Sequence, residues 1–169
     1  MITKLLLCVF LILGIPGFVK GQAREFLTPG HQITLEGAFS LTSTARAAAR
    51  TLGKQVSIAI VDQSGLPILV SRGDGVGPHN TEAARRKAFT ALSTKTGTLA
   101  LGRNAKANPD SENLAYLPEL LLLGGGVPIW YDNKVVGAIG VAGGGGPEYD
   151  DQIARSAAST IKGNTKQED

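Results

Sequence analysis

Apolar residues recur along this chain with periods that change from segment to segment. Leu35, Ala38, Phe39, Thr42, Ala45, Ala49 and Leu52 return at steps of three and four residues. That spacing predicts a helix, capped by Thr34 and stopped at Gly53. Val56 to Val61 is apolar on both faces and predicts a central strand. Asp62-Gln63-Ser64-Gly65 has the composition of a turn, and Leu66 to Arg72 returns as the partner strand. After the loop "GDGVGPHN", Asn80 or Thr81 caps a second helix whose narrow buried side is Ala84, Ala88, Ala91 and Leu92.

Residues 96–119 mix short apolar runs with turn residues, and no direction of the chain follows from them. "LLLLGGGVPIWYDNKVVGAIGVAG" then predicts a strand, a glycine-rich break read as a bulge, a strand, a tight turn at Asp132-Asn133, and a last strand. In that strand Val135, Gly137, Ile139 and Val141 share one face. Val136, Ala138 and Gly140 share the other, small enough for a helix to lie close. The final helix begins at Pro147, carries Glu148, Asp150 and Asp151 in its first turn, buries Ile153, Ala154, Ala157 and Ile161, and stops near Gly163. Consecutive strands joined by tight turns predict an α+β fold: an antiparallel sheet with packed helices, not a doubly wound parallel one.

The first residues carry a different signal. Lys4, the apolar run "LLLCVFLILGI" and the small residues of "GQA" predict a signal peptide over residues 1–23, with an uncleaved anchor as the alternative. Residues 24–33 read as an ordering arm or loose leader, 34–163 as one domain, and 164–169 as a disordered tail. Cleavage removes Lys4 and Lys20, so 17 basic residues fall to 15 against 14 acidic ones. That near-neutral balance withdraws the main support for a nucleic-acid partner. It also leaves no stable membrane span. Cys8 is the only cysteine and leaves with the same segment, which excludes disulfides, zinc-thiolate sites and thiol catalysis from the mature chain.

Two blocks, "VSIAIVDQSGLPILVSRGDGVGPHNTEAARRKAFTAL" and "GGGVPIWYDNKVVGAIGVAGGGGPEYDDQIA", resemble the GlcG/HbpS family of haem-binding or haem-degrading domains over residues 34–161. The resemblance rests on the V-D-x-x-G hairpin followed by R-x-D-G, and on the A-x-x-K-A-x-T-A helix (Ala84, Lys87, Ala88, Thr90, Ala91). The third piece is the G-G-V-P-I … V-V-G-A-I-G-V … P-E-x-D block. It implies a profilin-like sheet, homo-oligomers and, in some members, haem binding, haem breakdown or iron handling. A related domain accompanies a corrinoid adenosyltransferase.

Candidate chemistry is sparse. His79 precedes the second helix with Arg85, Arg86 and Lys87 one turn on. An imidazole there is either a haem-iron ligand, with the cations holding propionates, or an ordinary loop histidine. His31 in the leader is the second candidate ligand. Tyr116, Tyr131 and Tyr149 are candidate phenolates or amphipathic edge residues, and Trp130 with Tyr131 offers an aromatic pair for a flat cofactor. Gly143, Gly144, Gly145 and Gly146 read first as a close-packed turn and second as an anion or pocket rim, with Arg72 as a partner for a small carboxylate. No G-x-S-x-G elbow surrounds Ser57, Ser64, Ser71 or Ser93, H-E-x-x-H is missing, and Asp62 and Asp74 sit in turn sequences. The reading is therefore an exported, self-associating haem- or tetrapyrrole-binding protein, with "AYLPELLLLGGGVPIWY" as a source of subunit contacts. The alternatives are a small-carboxylate-binding module or a non-catalytic oligomeric accessory protein.

Overall fold

The structure, a computed structural model, describes residues 30–161 and 163. The predicted signal peptide over residues 1–23, residues 24–29 of the predicted leader and the predicted tail 164–169 lie outside the described residues. Helix α1 spans Leu35–Thr51, and the Thr34 hydroxyl accepts the Gly37 N–H at 3.0 Å. Strands β1 (Ser57–Val61) and β2 (Pro67–Arg72) form a hairpin whose turn is held by Asp62. Its carboxylate accepts the Ser64 and Leu66 N–H groups at 2.8 and 3.0 Å. Strands β3 (Gly126–Tyr131) and β4 (Lys134–Ala142) form a second hairpin. Its turn residues Asp132 and Asn133 take φ of 49° and 55°, as a type I′ turn requires.

All pairings are antiparallel and the strand order is β2-β1-β4-β3, so the two hairpins join through β1 and β4. Ile58, Ile60, Val127, Ile129, Ile139 and Val141 point to one face, under α1 and α4 (Pro147–Ala158). Ala59, Val61, Ala138 and Ala142 point to the other, under Ala84, Ala88 and Ala91 of α2 (His79–Thr94). The result is the expected α+β architecture, with helices covering both faces of an antiparallel sheet.

Glycines set the distance of α2. Gly126 and Gly140 are cross-strand partners. A β-carbon on Gly140 would stand 1.9 Å from the Ala84 carbonyl oxygen, and one on Gly126 2.2 Å from that of Lys87. The helix backbone therefore rests on the strand backbones, and both positions accept hydrogen alone as a side chain. The close approach expected from Ala138 and Gly140 is present.

Several expectations change. Helix α2 starts at His79, earlier than Asn80 or Thr81, with Pro78 at its cap and no side-chain cap bond. The illegible middle forms α3 (Thr98–Ala107) and a 3-10 segment over Pro109–Tyr116. Leu120 to Leu123 is not a strand. Its backbone bonds to side chains instead: Thr90 accepts the Leu121 N–H, Thr98 donates to the Leu123 carbonyl, and Arg86 donates to the Pro118 and Leu120 carbonyls. With no strand before them, Gly124 to Gly126 are not a bulge. A bulge lies instead in β4, where Ile129 pairs with Gly137 but Trp130 with Val135. The extra residue, Val136, turns to the α1/α4 core and leaves the face predicted for it. Helix α4 ends at Ala158, and Ile161 still packs on that core beyond it.

Candidate functional site

At one end of the sheet, β4 leaves through the four glycines into α4. Gly143 and Gly145 take φ of 103° and 94°, so the corner depends on glycine. Asp150 folds back from the first turn of α4 and accepts the Gly144 N–H at 2.7 Å. Its second oxygen accepts from the Lys87 ammonium at 2.8 Å, and Lys87 also donates to the Val141 carbonyl at 3.0 Å. Lys87 is 1% exposed. Burial pushes its ammonium below the ordinary lysine range, with the Asp150 charge opposing. The corner is a close-packed turn, riveted to α2 by a buried ion pair.

That pairing takes Lys87 out of the cationic surface expected of the basic triplet. Lys87 lies inside the fold and has no propionate to reach. Arg86 is held by the two backbone carbonyls of the 118–120 segment. Arg85 forks onto Glu82 and bonds Glu119 at 2.8 Å. Its guanidinium holds the Glu82 carboxyl below the usual range. His79 is exposed at the start of α2, its ring folded toward Gly77. Arg72 is exposed at the same sheet end, since Ser57 pairs with both Arg72 and Ala142. The register puts Arg72 about 10 Å from the glycine corner, two strand spacings away.

Two other candidates meet at the opposite end. His31 and Tyr131 pack edge to face, with ring centroids 4.7 Å apart at 69°. They stand at the mouth of a cavity of about 240 Å³ walled by Ile33, Ile129, Val136 and Ile161. The short stretch before α1 places His31. Its carbonyl accepts from the Gln63 amide, and Ile33 packs on the core beside Gly137. Lys134, cross-strand partner of Tyr131, is exposed next to them. Of the other aromatics, Tyr116 is 80% exposed on the 3-10 segment. Tyr149 lies beneath Lys54, whose ammonium is 5.6 Å from the ring centroid. Among the described residues there is no group of three or more His, Cys, Asp and Glu side chains placed to hold a metal. None of the described helices is long and apolar enough to cross a membrane.

The residues that sequence reasoning missed are Lys87 and Asp150 as a pair. Their signal was present: Lys87 falls on the buried stripe of Ala84, Ala88 and Ala91.

Known proteins share this fold. The chain is 36% identical to a double mutant of HbpS from Streptomyces reticuli, covering 88% of this chain and 97% of that one with a TM-score of 0.75. A structure of a PduOC–heme complex is 28% identical, covers 81% of this chain and 100% of the other, and superposes with a TM-score of 0.72. The corrinoid adenosyltransferase PduO of Salmonella typhimurium is 31% identical over 75% of this chain, which spans only 38% of that protein's length. A family model described as haem degrading protein HbpS-like matches residues 33–159. With that match covering most of the chain and the HbpS structure superposing on its sheet and helices, this protein belongs to the HbpS-like family.

Proposed function

We propose that this chain is an exported protein of haem or iron handling that binds haem or a related tetrapyrrole at the His31–Tyr131 end of the sheet. One observation carries the reading: an imidazole and a phenol, both of iron-ligating chemistry, stand together at the mouth of an apolar cavity. The donor set fits the group. His31 would hold the iron, Tyr131 would support the imidazole or share the ligation, and Ile33, Ile129, Val136 and Ile161 would line the macrocycle. Lys134 would pair with a propionate. Bound haem would supply redox-active iron, so any breakdown of haem here would be oxidative. The heme complex of PduOC supports the ligand class.

A cavity of about 240 Å³ falls below the ~300–1,000 Å³ usual for a ligand site. One chain therefore supplies one wall, and a second copy supplies the other. Exposed Leu35 and Phe39 on α1 and exposed Tyr131 give such a copy apolar surface to cover. The competing ligand, His79, lies at the far end of β4, about 26 Å of strand away. The small-carboxylate reading of the glycine corner is weakened because Asp150 already takes the Gly144 N–H.

A haem titration followed by absorption spectroscopy tests this. Loss of outer-shell partners alone weakens metal sites about 10–100-fold, so His31→Ala should weaken haem binding at least tenfold and shift the Soret band. Tyr131→Phe should alter the spectrum, and His79→Ala should leave both affinity and band unchanged. A Soret band altered by His79→Ala and untouched by His31→Ala contradicts the proposed site.

A further inference from the structure

A second cavity, of about 310 Å³, opens where the α2–α3 turn meets β3 and α4. Its polar side carries Lys95 and Arg155, and its apolar side Trp130, Pro128 and Val127. Lys95 closes α2 in a left-handed conformation, φ 52°, and is exposed. Arg155 reaches in from α4 with a side chain that is 56% exposed. Its guanidinium lies over Gly97: Nη2 is 3.0 Å from where a β-carbon would stand, so any larger residue at 97 would push it aside. Asp151 is the acidic partner here. It takes the Nε–H of Arg155 at 2.6 Å and an Nη2–H at the long distance of 3.4 Å. Of the five guanidinium donors, most remain for a ligand. Two cations line the cavity and one of them is paired with a buried carboxylate, so the site carries a net positive charge beside a flat aromatic wall.

We propose that this cavity binds a small aromatic carboxylate, its carboxylate group between Lys95 and Arg155 and its ring against Trp130 and Pro128. A free phosphate makes no use of the indole wall. A metal cation meets two like charges. The lining holds no His, Tyr, Cys or Met to ligate a haem iron, so the site is separate from the one at His31.

Trp130 is the only tryptophan of the chain, so its emission reports this cavity directly. Purified protein without added haem is titrated with benzoate and with its neutral analogue benzamide. Hydrogen bonds to charged groups are worth about tenfold or more each in affinity, so benzoate should give a saturable change at millimolar concentration and benzamide should bind at least tenfold more weakly. Lys95→Met, a surface change checked for folding by circular dichroism, should weaken benzoate about tenfold. Equal binding of benzamide, benzoate binding unaffected in Lys95→Met, or no saturable emission change each overturns the proposal.

Discussion

Replacing Lys87 with methionine should destabilise the protein by about 3–5 kcal/mol, the usual cost of removing one partner of a buried ion pair. The substitution strands the Asp150 carboxylate in the interior, where only the Gly144 N–H remains to it. It also leaves the Val141 carbonyl without its side-chain donor. For a domain of this size the loss corresponds to a fall in melting temperature of roughly 10 °C. Adding Asp150→Asn should recover part of it, because a neutral amide oxygen still accepts from Gly144 without a buried charge. Thermal unfolding followed by circular dichroism reads both. A single variant that melts with the parent would show that the pair contributes nothing to the corner.

A comparable loss, about 3 kcal/mol or more, is expected from Gly140→Ala. The added methyl would meet the Ala84 carbonyl oxygen at 1.9 Å and the Ala88 nitrogen at 2.7 Å. Both are helix backbone, so neither yields by changing rotamer. Helix α2 must lift from β4, and its alanine face loses contact with Ala138 and Val61. Gly75→Ala separates this clash from ordinary backbone strain. Gly75 has φ 72° with no atom within 4 Å of the new methyl, so its cost should stop at about 1–2 kcal/mol. Equal melting temperatures for the two variants would refute the seat.

These two positions also mark what the sequence made legible. Local chemistry read well: Asp62 to Gly65 and Asp132-Asn133 are turns, Thr34 caps α1, and the small residues of β4 receive a helix. The turns and the cap depend on neighbours close in the chain, and the seat on β4 showed as a run of small residues on one face. Leu120 to Leu123 read as a strand because its apolar run has strand length. Its backbone partners are side chains some 25 to 34 positions away, on α2 and α3, which no local pattern reveals. Val136 moved to the other face because a single bulge inverts an alternation that sequence continues unbroken.

The candidate site divides in the same way. The basic run Arg85 to Lys87 looked like one cationic surface, yet a helix turns by about 100° per residue. One of the three points inward to Asp150, one to backbone carbonyls and one to surface carboxylates. Lys87 stood on the alanine stripe, so its burial was open to inference. The meeting of His31 with Tyr131 was not, because it requires residues 30–33 to dock across the sheet through Ile33 and Gln63. The resemblance supplied the family and suggested the ligand class, while the proposed preference for His31 over His79 rests on the fold.

That choice is open to a direct measurement. Crystals of the haem-loaded protein, with data collected at the iron absorption edge, locate the metal without reference to any spectrum. One strong iron peak is expected at bonding distance from a His31 imidazole nitrogen, beside Tyr131 and against Ile33 and Ile129. A peak beside His79 at the glycine corner, or haem bound with iron remote from both His31 and Tyr131, would contradict it.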